Sequence, residues 1–339
     1  MVHGGFYYQV EKKKIYPGEV PDLLHWFKWE ATLTWITGFL LLIVVYFLNG
    51  ASLLIDPRVM ALTQWQAIGL TLAMIIGSWA FYDFVWLSRL IKWNALRIIL
   101  SISFFSGLIY LTTHLFSGRG AFILVGAIFG TLMLLNVWIR ILPGQAKMLK
   151  EAQAGQVPDY SVSLKSKVRS VHNTYFTFPV LFIMLSNHYA AVYSHRYSWV
   201  LLILLTVSGA LVRHAMVTKR SVERWTLLPA AMGILALVFI TGAEKKIAAV
   251  EVNEPVDYSR VAGIVKQRCL QCHSSANTDD VFKVAPNNVI FETEDQLRQY
   301  RDKILLRVVQ ERTMPLMNKT NITEEERAII GKWLKLESD

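Results

Sequence analysis

Seven hydrophobic runs, each about as long as a helix needs to cross a bilayer, constrain the fold of this chain more than any other feature. They lie at 31–48, 65–87, 95–115, 121–142, 174–193, 199–217 and 225–242. A membrane-spanning helix needs about 20 mainly apolar residues. Tryptophan residues lie at or near the ends of several runs, where an interfacial aromatic belt would place them. The sequence therefore predicts an all-α polytopic membrane bundle of seven spans.

The composition supports a membrane protein. The chain is 53% hydrophobic and 18% charged, which is too apolar for an ordinary soluble protein. A net charge of +10 also suggests nucleic-acid binding. The Lys and Arg residues, however, lie in short loops between apolar runs, as is typical of membrane proteins. We therefore predict contact with membrane lipid and no nucleic-acid partner.

The basic residues predict the orientation of the bundle. Segments 1–30, 85–97, 140–172 and 213–224 hold 17 Lys and Arg residues, whereas the alternate segments hold 5. The positive-inside rule places the first set in the cytoplasm. Seven crossings then bring the C-terminal region to the opposite side. This arrangement predicts a multi-pass protein of the bacterial inner membrane with its C-terminal domain in the periplasm.

The composition becomes mixed polar and apolar after Glu244. We predict a membrane domain over 1–247, a linker over 248–255 and a small domain over 256–339. Helices are expected over 258–268 and 324–336, the second with a capping box between Thr323 and Glu326. Because such a small domain often needs a staple beyond its own core, a covalent cofactor is a reasonable expectation.

Cys269, Cys272 and His273 form a C-x-x-C-H motif, the pattern of c-type haem attachment. Thiols three positions apart can reach the two vinyl groups on one edge of the ring, and the next residue presents an imidazole to the iron. A redox dithiol is the other interpretation of this pattern. The chain has no other cysteine, and the predicted topology puts the motif where bacteria attach this cofactor. We therefore predict one covalent haem c.

The second axial ligand of the iron is expected downstream of the motif. Met314 precedes Pro315, whose rigid ring suits a ligand loop, and Met/His ligation raises the potential of a cytochrome c. Met317 is the competing ligand, and either methionine is also compatible with ordinary core packing. We favour Met314, so the C-terminal region is predicted to be a class I-like cytochrome c domain.

Ionisable and amide side chains also occur inside the hydrophobic runs, toward their cytoplasmic ends. Such groups are costly in a bilayer and are candidates for functional sites. An arginine near a helix end also snorkels to the interface without any function. Together these residues predict a cationic, hydrogen-bonding pocket for an anionic substrate. The candidates are Asp83, Arg97, Arg140, His172, Asn173, Arg213 and His214.

Several longer motifs resemble one known family. Segments 25–30, 65–67, 172–180 and 185–189 are similar to the membrane-bound urate hydroxylase (urate oxidase) PuuD family. Segments 269–273, 280–286 and 313–316 resemble the cytochrome c domain of that family. The similarity covers essentially the whole chain. The family has a further membrane helix ahead of the segment that matches 3–7, and this sequence starts at that segment.

The resemblance implies oxidation of urate to 5-hydroxyisourate, with electrons passed through the c-type haem to a respiratory acceptor. It assigns no urate-binding residues. A second, b-type haem held between histidines is an additional possibility, since the predicted haem c and the basic clusters lie on opposite sides of the membrane. The alternatives are a membrane-tethered electron carrier without its own substrate and a transporter with a redox appendage.

Overall fold

The computed structural model describes residues 2–3, 6–7, 16–17, 27–88, 91–218, 220–243, 254–279 and 283–335. Apart from the paired two-residue strands β1 (Val2–His3) and β2 (Phe6–Tyr7), the regular elements described are helices. They are α1 (Phe27–Leu42), α2 (Gln64–Leu87), α3 (Asn94–Leu115), α4 (Gly118–Leu135), α5 (Leu142–Gln153), α6 (Tyr160–Ser186), α7 (Ala190–Tyr193), α8 (Ser198–Val217), α9 (Leu227–Ala243), α10 (Tyr258–Arg268), α11 (Glu294–Gln299), α12 (Arg301–Ile304) and α13 (Glu324–Lys335). Asn136–Ile141 is a π-helical stretch that joins α4 to α5.

Six helical segments in the described part of the chain are long and apolar enough to cross a membrane. They are Lys28–Phe47, Gln64–Leu87, Asn94–Leu115, Gly118–Gln153, Ser198–Val217 and Ser221–Gly242. Large apolar side chains on these helices are exposed; Phe239, for example, is 77% exposed. An apolar outer surface suits lipid. These helices confirm six of the seven predicted runs and indicate a multi-pass membrane protein.

The predicted run at 174–193 coincides with the second half of α6 and with α7. Helix α6 has 27 residues, about 40 Å of helix. It is nevertheless not among the six apolar segments. The physical reason is its first half, in which Arg169, His172 and Asn173 interrupt the hydrophobic sequence. Six candidate spans are therefore established, and the seventh remains a prediction.

The described chain divides into two compact units. The first comprises Met1–Ile36 and Thr131–Thr174. Polar groups on its helices are satisfied by one another: the indole nitrogen of Trp35 donates to Thr131 Oγ1 at 2.9 Å, and that of Trp138 donates to Thr32 Oγ1 at 2.7 Å. Such side-chain pairs satisfy groups that hydrocarbon cannot hydrate.

The second unit comprises Thr37–Gly130 and Tyr175–Asp339. Within it, α2 packs on α3, α3 on α8, and α8 on α9. Aromatic rings fill its centre: Phe129 stacks on Phe176 at 5.1 Å, and Phe105 meets Phe129 edge-on at 5.4 Å. These contacts fix the start of the apolar half of α6 against its neighbours in this unit.

The C-terminal helices of the second unit surround a separate apolar core. Helix α10 packs on α13, and the core includes Val261, Ile330 and Trp333. Helix α10 has the predicted bounds, and α13 matches its prediction as far as the description extends. Its capping box is confirmed, because Thr323 N donates to Glu326 Oε2 at 2.8 Å and Glu326 N donates to Thr323 Oγ1 at 3.2 Å.

Some predictions fall outside the described residues. They concern part of the 25–30 motif, most of the linker predicted over 248–255, and 280–282 of the 280–286 motif. The side chain of Met317 is also outside the description. The domain boundaries at 247 and 256 therefore stay predictions.

Candidate functional site

The thiol motif begins where α10 ends. Cys269 caps this helix, its N–H still bonded to the carbonyl of Val265 at 2.8 Å. The chain then turns, since Cys272 N and His273 N both donate to the carbonyl of Cys269, at 3.1 and 2.9 Å. Both cysteines are free thiols. One short turn thus carries the two thiols and the imidazole.

The imidazole of His273 is held in one orientation. Its Nδ1 lies 2.9 Å from the carbonyl oxygen of Val289, and its ring packs on Phe291 at 4.9 Å. A carbonyl only accepts hydrogen bonds, so Nδ1 carries a proton, and in the neutral imidazole Nε2 carries the lone pair. A metal-ligating histidine usually donates its other ring N–H to a group such as this backbone carbonyl, which fixes the orientation of the ring.

Cys269 lies against an apolar cavity at the centre of the C-terminal core. Phe291, Val308 and Trp333 are among the side chains that line it. Burial raises the pKa of the Cys269 thiol to about 12, so this thiol is protonated at neutral pH. A reactive redox thiol has a lowered pKa, so Cys269 itself does not have the character of one.

Met314 packs against the same core. Its backbone is fixed on both sides: Met314 N donates to the carbonyl of Arg307 at 3.1 Å, and the Met314 carbonyl accepts from Arg327 Nη1 at 2.7 Å. Arg327 also donates to the carbonyl of Val308. Cys269 and Met314 thus pack on one apolar core, and His273 contacts Phe291, which packs on the same core. Together with Cys272, these residues have the donor types that hold a c-type haem.

An ion pair between a buried carboxylate and a partly exposed lysine lies beside the second thiol. Asp279 is fully buried, accepts from Lys319 Nζ at 2.7 Å and lies 3.3 Å from the Sγ atom of Cys272. Breaking such a pair leaves an uncompensated buried charge and is strongly destabilising. The pair therefore stabilises the loop after the motif in this conformation.

Three of the predicted membrane candidates lie in the first unit. Asn173 donates to the carbonyl of Met133 at 2.9 Å, and the buried Asn136 donates to Asn173 Oδ1 at 2.8 Å. Arg140 uses its carbonyl to accept from Ser166 Oγ at 3.2 Å. His172 precedes Asn173 on α6 and is half-buried. The structure thus joins Asn173 to an amide that sequence reasoning missed.

The other four candidates lie in the second unit. His214 Nδ1 is 2.7 Å from the hydroxyl of Tyr175, and its Nε2 is 3.8 Å from Glu223 Oε2. Arg97 donates to the carbonyl of Ser88 at 3.1 Å. The Nε atom of Arg213 is buried and makes no hydrogen bond within the described residues. Asp83 is half-buried on α2.

The sequence thus predicted Asn173 and His214 as candidates but did not predict their hydrogen-bond and ion-pair partners. Asn136 had a detectable signal, because an amide inside an apolar run is costly unless it is paired. Tyr175 lies within the 172–180 motif but was not singled out. No sequence signal distinguished Glu223, because it lies in a charged loop and charged loop residues are usually solvated.

The six long apolar helices define a multi-pass helical membrane protein, and a C-x-x-C-H motif follows α10 in its C-terminal region. The chain belongs to the urate oxidase N-terminal family, which it matches over residues 1–243. Membership implies an oxidoreductase with urate as its substrate. Searches of curated proteins and of solved structures found no match. The family match ends before the C-x-x-C-H motif, which lies at 269–273.

Proposed function

We propose that this protein oxidises urate to 5-hydroxyisourate and passes the electrons through a c-type haem to a respiratory acceptor. One observation carries the proposal: a single chain joins the urate oxidase N-terminal region to a C-x-x-C-H motif with an oriented imidazole. Membership of the family implies urate as the substrate, and the C-x-x-C-H motif implies a haem through which the electrons can leave. A membrane-tethered electron carrier would need only the second.

The haem would be held by residues of the C-terminal core. Cys269 and Cys272 would form the thioether bonds, and His273 Nε2 and the Met314 thioether would bind the iron. When bound, the haem supplies a one-electron acceptor. The carbonyl of Val289 orients the His273 ring, and Arg327 restrains the backbone of Met314.

The membrane region would cross the bilayer seven times, with α6 as the additional span. In the second unit, Gly126 of α4 lies directly against Ile183 of α6, and Arg119 donates to Asn187 Oδ1 at 3.0 Å. Within this unit, residues near the start of α4 therefore contact residues near the end of α6, as in an antiparallel pair. An odd number of crossings, starting in the cytoplasm, would put the haem domain on the periplasmic side of a bacterial inner membrane.

Oxidation adds a water oxygen to urate and releases two protons and two electrons. The protein must accept those protons. Tyr175, His214 and Glu223 form a row of titratable groups in the second unit, with 2.7 Å between the first two and 3.8 Å between the last two. For urate bound near the cytoplasmic ends of the helices, such a row can move a proton from the hydroxyl side to the carboxylate side through the two ring nitrogens of His214.

Anaerobic addition of urate tests the proposal. The purified, haem-loaded protein should show the absorption spectrum of reduced haem after urate is added, in the absence of oxygen. A variant with Ala at both Cys269 and Cys272 should lack covalent haem and give no such change. If a chemical reductant reduces the haem and urate does not, the tethered-carrier function replaces this one. The same spectrum reveals whether a b-type haem is also present.

A further inference from the structure

A crevice of about 930 Å³ lies in the second compact unit. Its lining comes from the segments 53–59, 113–119, 193–198 and 307–316. The first three connect membrane helices, and the fourth is the loop of the C-terminal core that carries Met314. Its volume is within the range of small-molecule sites, about 300–1,000 Å³. We call it the outer crevice.

The outer crevice is rich in positive charge. Five arginines and two carboxylates line it: Arg58, Arg119, Arg196, Arg307 and Arg312 against Asp56 and Glu311. A cleft lined mainly by one sign of charge concentrates ligands of the opposite sign. The excess of guanidinium groups therefore favours an anion.

Two of these arginines are not neutralised by a carboxylate within the described chain. Arg119 donates to the amide oxygen of Asn187 at 3.0 Å. The guanidinium of Arg196 lies over the ring of Tyr197, 4.3 Å from its centroid. By contrast, Arg58 makes a bidentate pair with Asp56, and Arg312 pairs with Glu324 at 2.7 Å. Arg119 and Arg196 are the cations best able to bind an added anion.

Polar atoms with unused hydrogen-bonding capacity also line the outer crevice. The Nε of Arg312 is buried and has no hydrogen-bond partner among the described residues, while the Oε2 of Glu311 forms an ion pair with Arg307 Nε at 3.9 Å. The backbone of Arg312 is left-handed, with φ of 54°, a conformation that residues with a side chain adopt rarely. Unsatisfied polar atoms and such backbone outliers both concentrate at functional sites.

We propose that the outer crevice is the urate-binding site, an inference that rests on the proposed function. Urate at neutral pH is a planar anion with oxygen acceptors, and guanidinium groups bind planar anions with paired hydrogen bonds. Since Met314 is part of the lining, a molecule bound here lies beside the ligand loop of the haem domain. Electrons then need not cross the bilayer, as they would from the candidates near the cytoplasmic helix ends.

Equilibrium binding of urate tests this site independently of turnover. The full-length, haem-loaded protein in detergent is dialysed anaerobically against labelled urate. Arg119→Gln and Arg196→Gln should each raise the dissociation constant about ten-fold. Arg312→Gln, which alters the lining segment 307–316, should also raise it. Arg260→Gln, which alters an arginine paired with Glu254 outside the crevice, should leave the constant unchanged. Covalent haem content and the melting temperature identify any variant that has lost its fold.

The outcomes separate this inference from the proposed function. If the three crevice variants bind urate as the wild type does, the site is wrong even when urate reduces the haem. A loss of binding in Arg213→Gln or Asn173→Ala, with none in the crevice variants, assigns the site to the membrane candidates instead. If a variant fails to fold, the wild-type protein still provides a test. Its affinity for urate should fall with rising salt, because salt screens accessible arginines. Salt-independent binding contradicts the site.

Discussion

Arg327 Nη1 donates to the carbonyl oxygen of Met314 at 2.7 Å, so α13 restrains the loop that would supply the second haem ligand. Arg327→Leu removes this bond and the bond to the Val308 carbonyl. Each buried carbonyl left unsatisfied costs about 1–3 kcal/mol. We expect a lower melting temperature and a lower haem potential, measured by thermal unfolding and redox titration, with the haem still covalently attached.

Arg301→Leu is the matched control for Arg327. Arg301 also donates to a carbonyl, that of Leu334 at 2.8 Å, but it does not contact Met314. It should reduce stability without changing the potential. Equal changes of potential in both variants would mean that Arg327 has no special role in positioning Met314.

Met314 and Met317 are distinguished by direct substitution. Met314→Ala should keep the covalent haem, because both cysteines remain, and should lose the thioether ligand and lower the potential. Met317→Ala should have little effect on either. Absorption spectra and redox titration of both variants provide the measurement. The reverse pattern would assign the ligand to Met317.

The hydrogen bond between Tyr175 and His214 Nδ1 tests where urate is oxidised. Tyr175→Phe removes the hydroxyl and keeps the ring, so urate oxidation should fall about 100-fold if urate binds beside this row of titratable groups. The rate should stay unchanged if urate binds in the outer crevice, because His214 and the crevice residue Ser198 are about 24 Å apart along α8. Tyr189→Phe is the control, because Tyr189 is 58% exposed. The rate of haem reduction by urate is the readout. An unchanged rate in the Tyr175 variant removes this row from the mechanism.

The lowered pKa of Glu326 predicts that the C-terminal core loses stability in acid. Its burial opposes ionisation, but hydrogen bonds from Arg268 and from the backbone of Thr323 outweigh it and hold the pKa of this carboxyl below the ordinary value of 4.5. Its stabilising contribution is therefore complete above 4.5 and is lost as the pH falls through the lowered pKa. Thermal unfolding followed by haem absorption should show this loss.

Arg268→Gln removes the partner of Glu326 and should weaken that acid dependence. The pair is mostly buried, with side-chain exposures of 24% and 18%, and its loss should cost on the order of 1–3 kcal/mol at neutral pH. Arg298→Gln breaks an exposed helical pair with Glu294, which is worth about 0–1 kcal/mol. Equal losses in the two variants would contradict the role assigned to Arg268.

The topology also has a direct test. A reporter enzyme that is active only outside the cytoplasm, fused after Asp339, should be active if α6 is the seventh span. A silent fusion of stable protein would leave six spans and put the C-x-x-C-H motif in the cytoplasm.

Hydropathy and local patterns, both properties of contiguous residues, predicted much of this protein. Six apolar runs became helices of spanning length, and α10 and α13 formed where the local pattern placed them. The spacing of Cys269, Cys272 and His273 predicted the haem motif without reference to the fold. In the run predicted at 174–193, the residues up to Ser186 belong to α6 and those from Ala190 to α7, with a turn between them. Helix α6 starts well before this run, and its polar first half lowers its mean hydropathy.

Tertiary structure decided which distant polar groups meet. Asn136 pairs with Asn173, Tyr175 with His214, and Arg327 with the Met314 carbonyl. Each pair joins residues from different helices or loops, and its members carry no local signal that names the other. A buried polar group must find a partner wherever packing provides one, so these partners, and the arginines of the outer crevice, follow from the packing of helices and loops and not from any single segment.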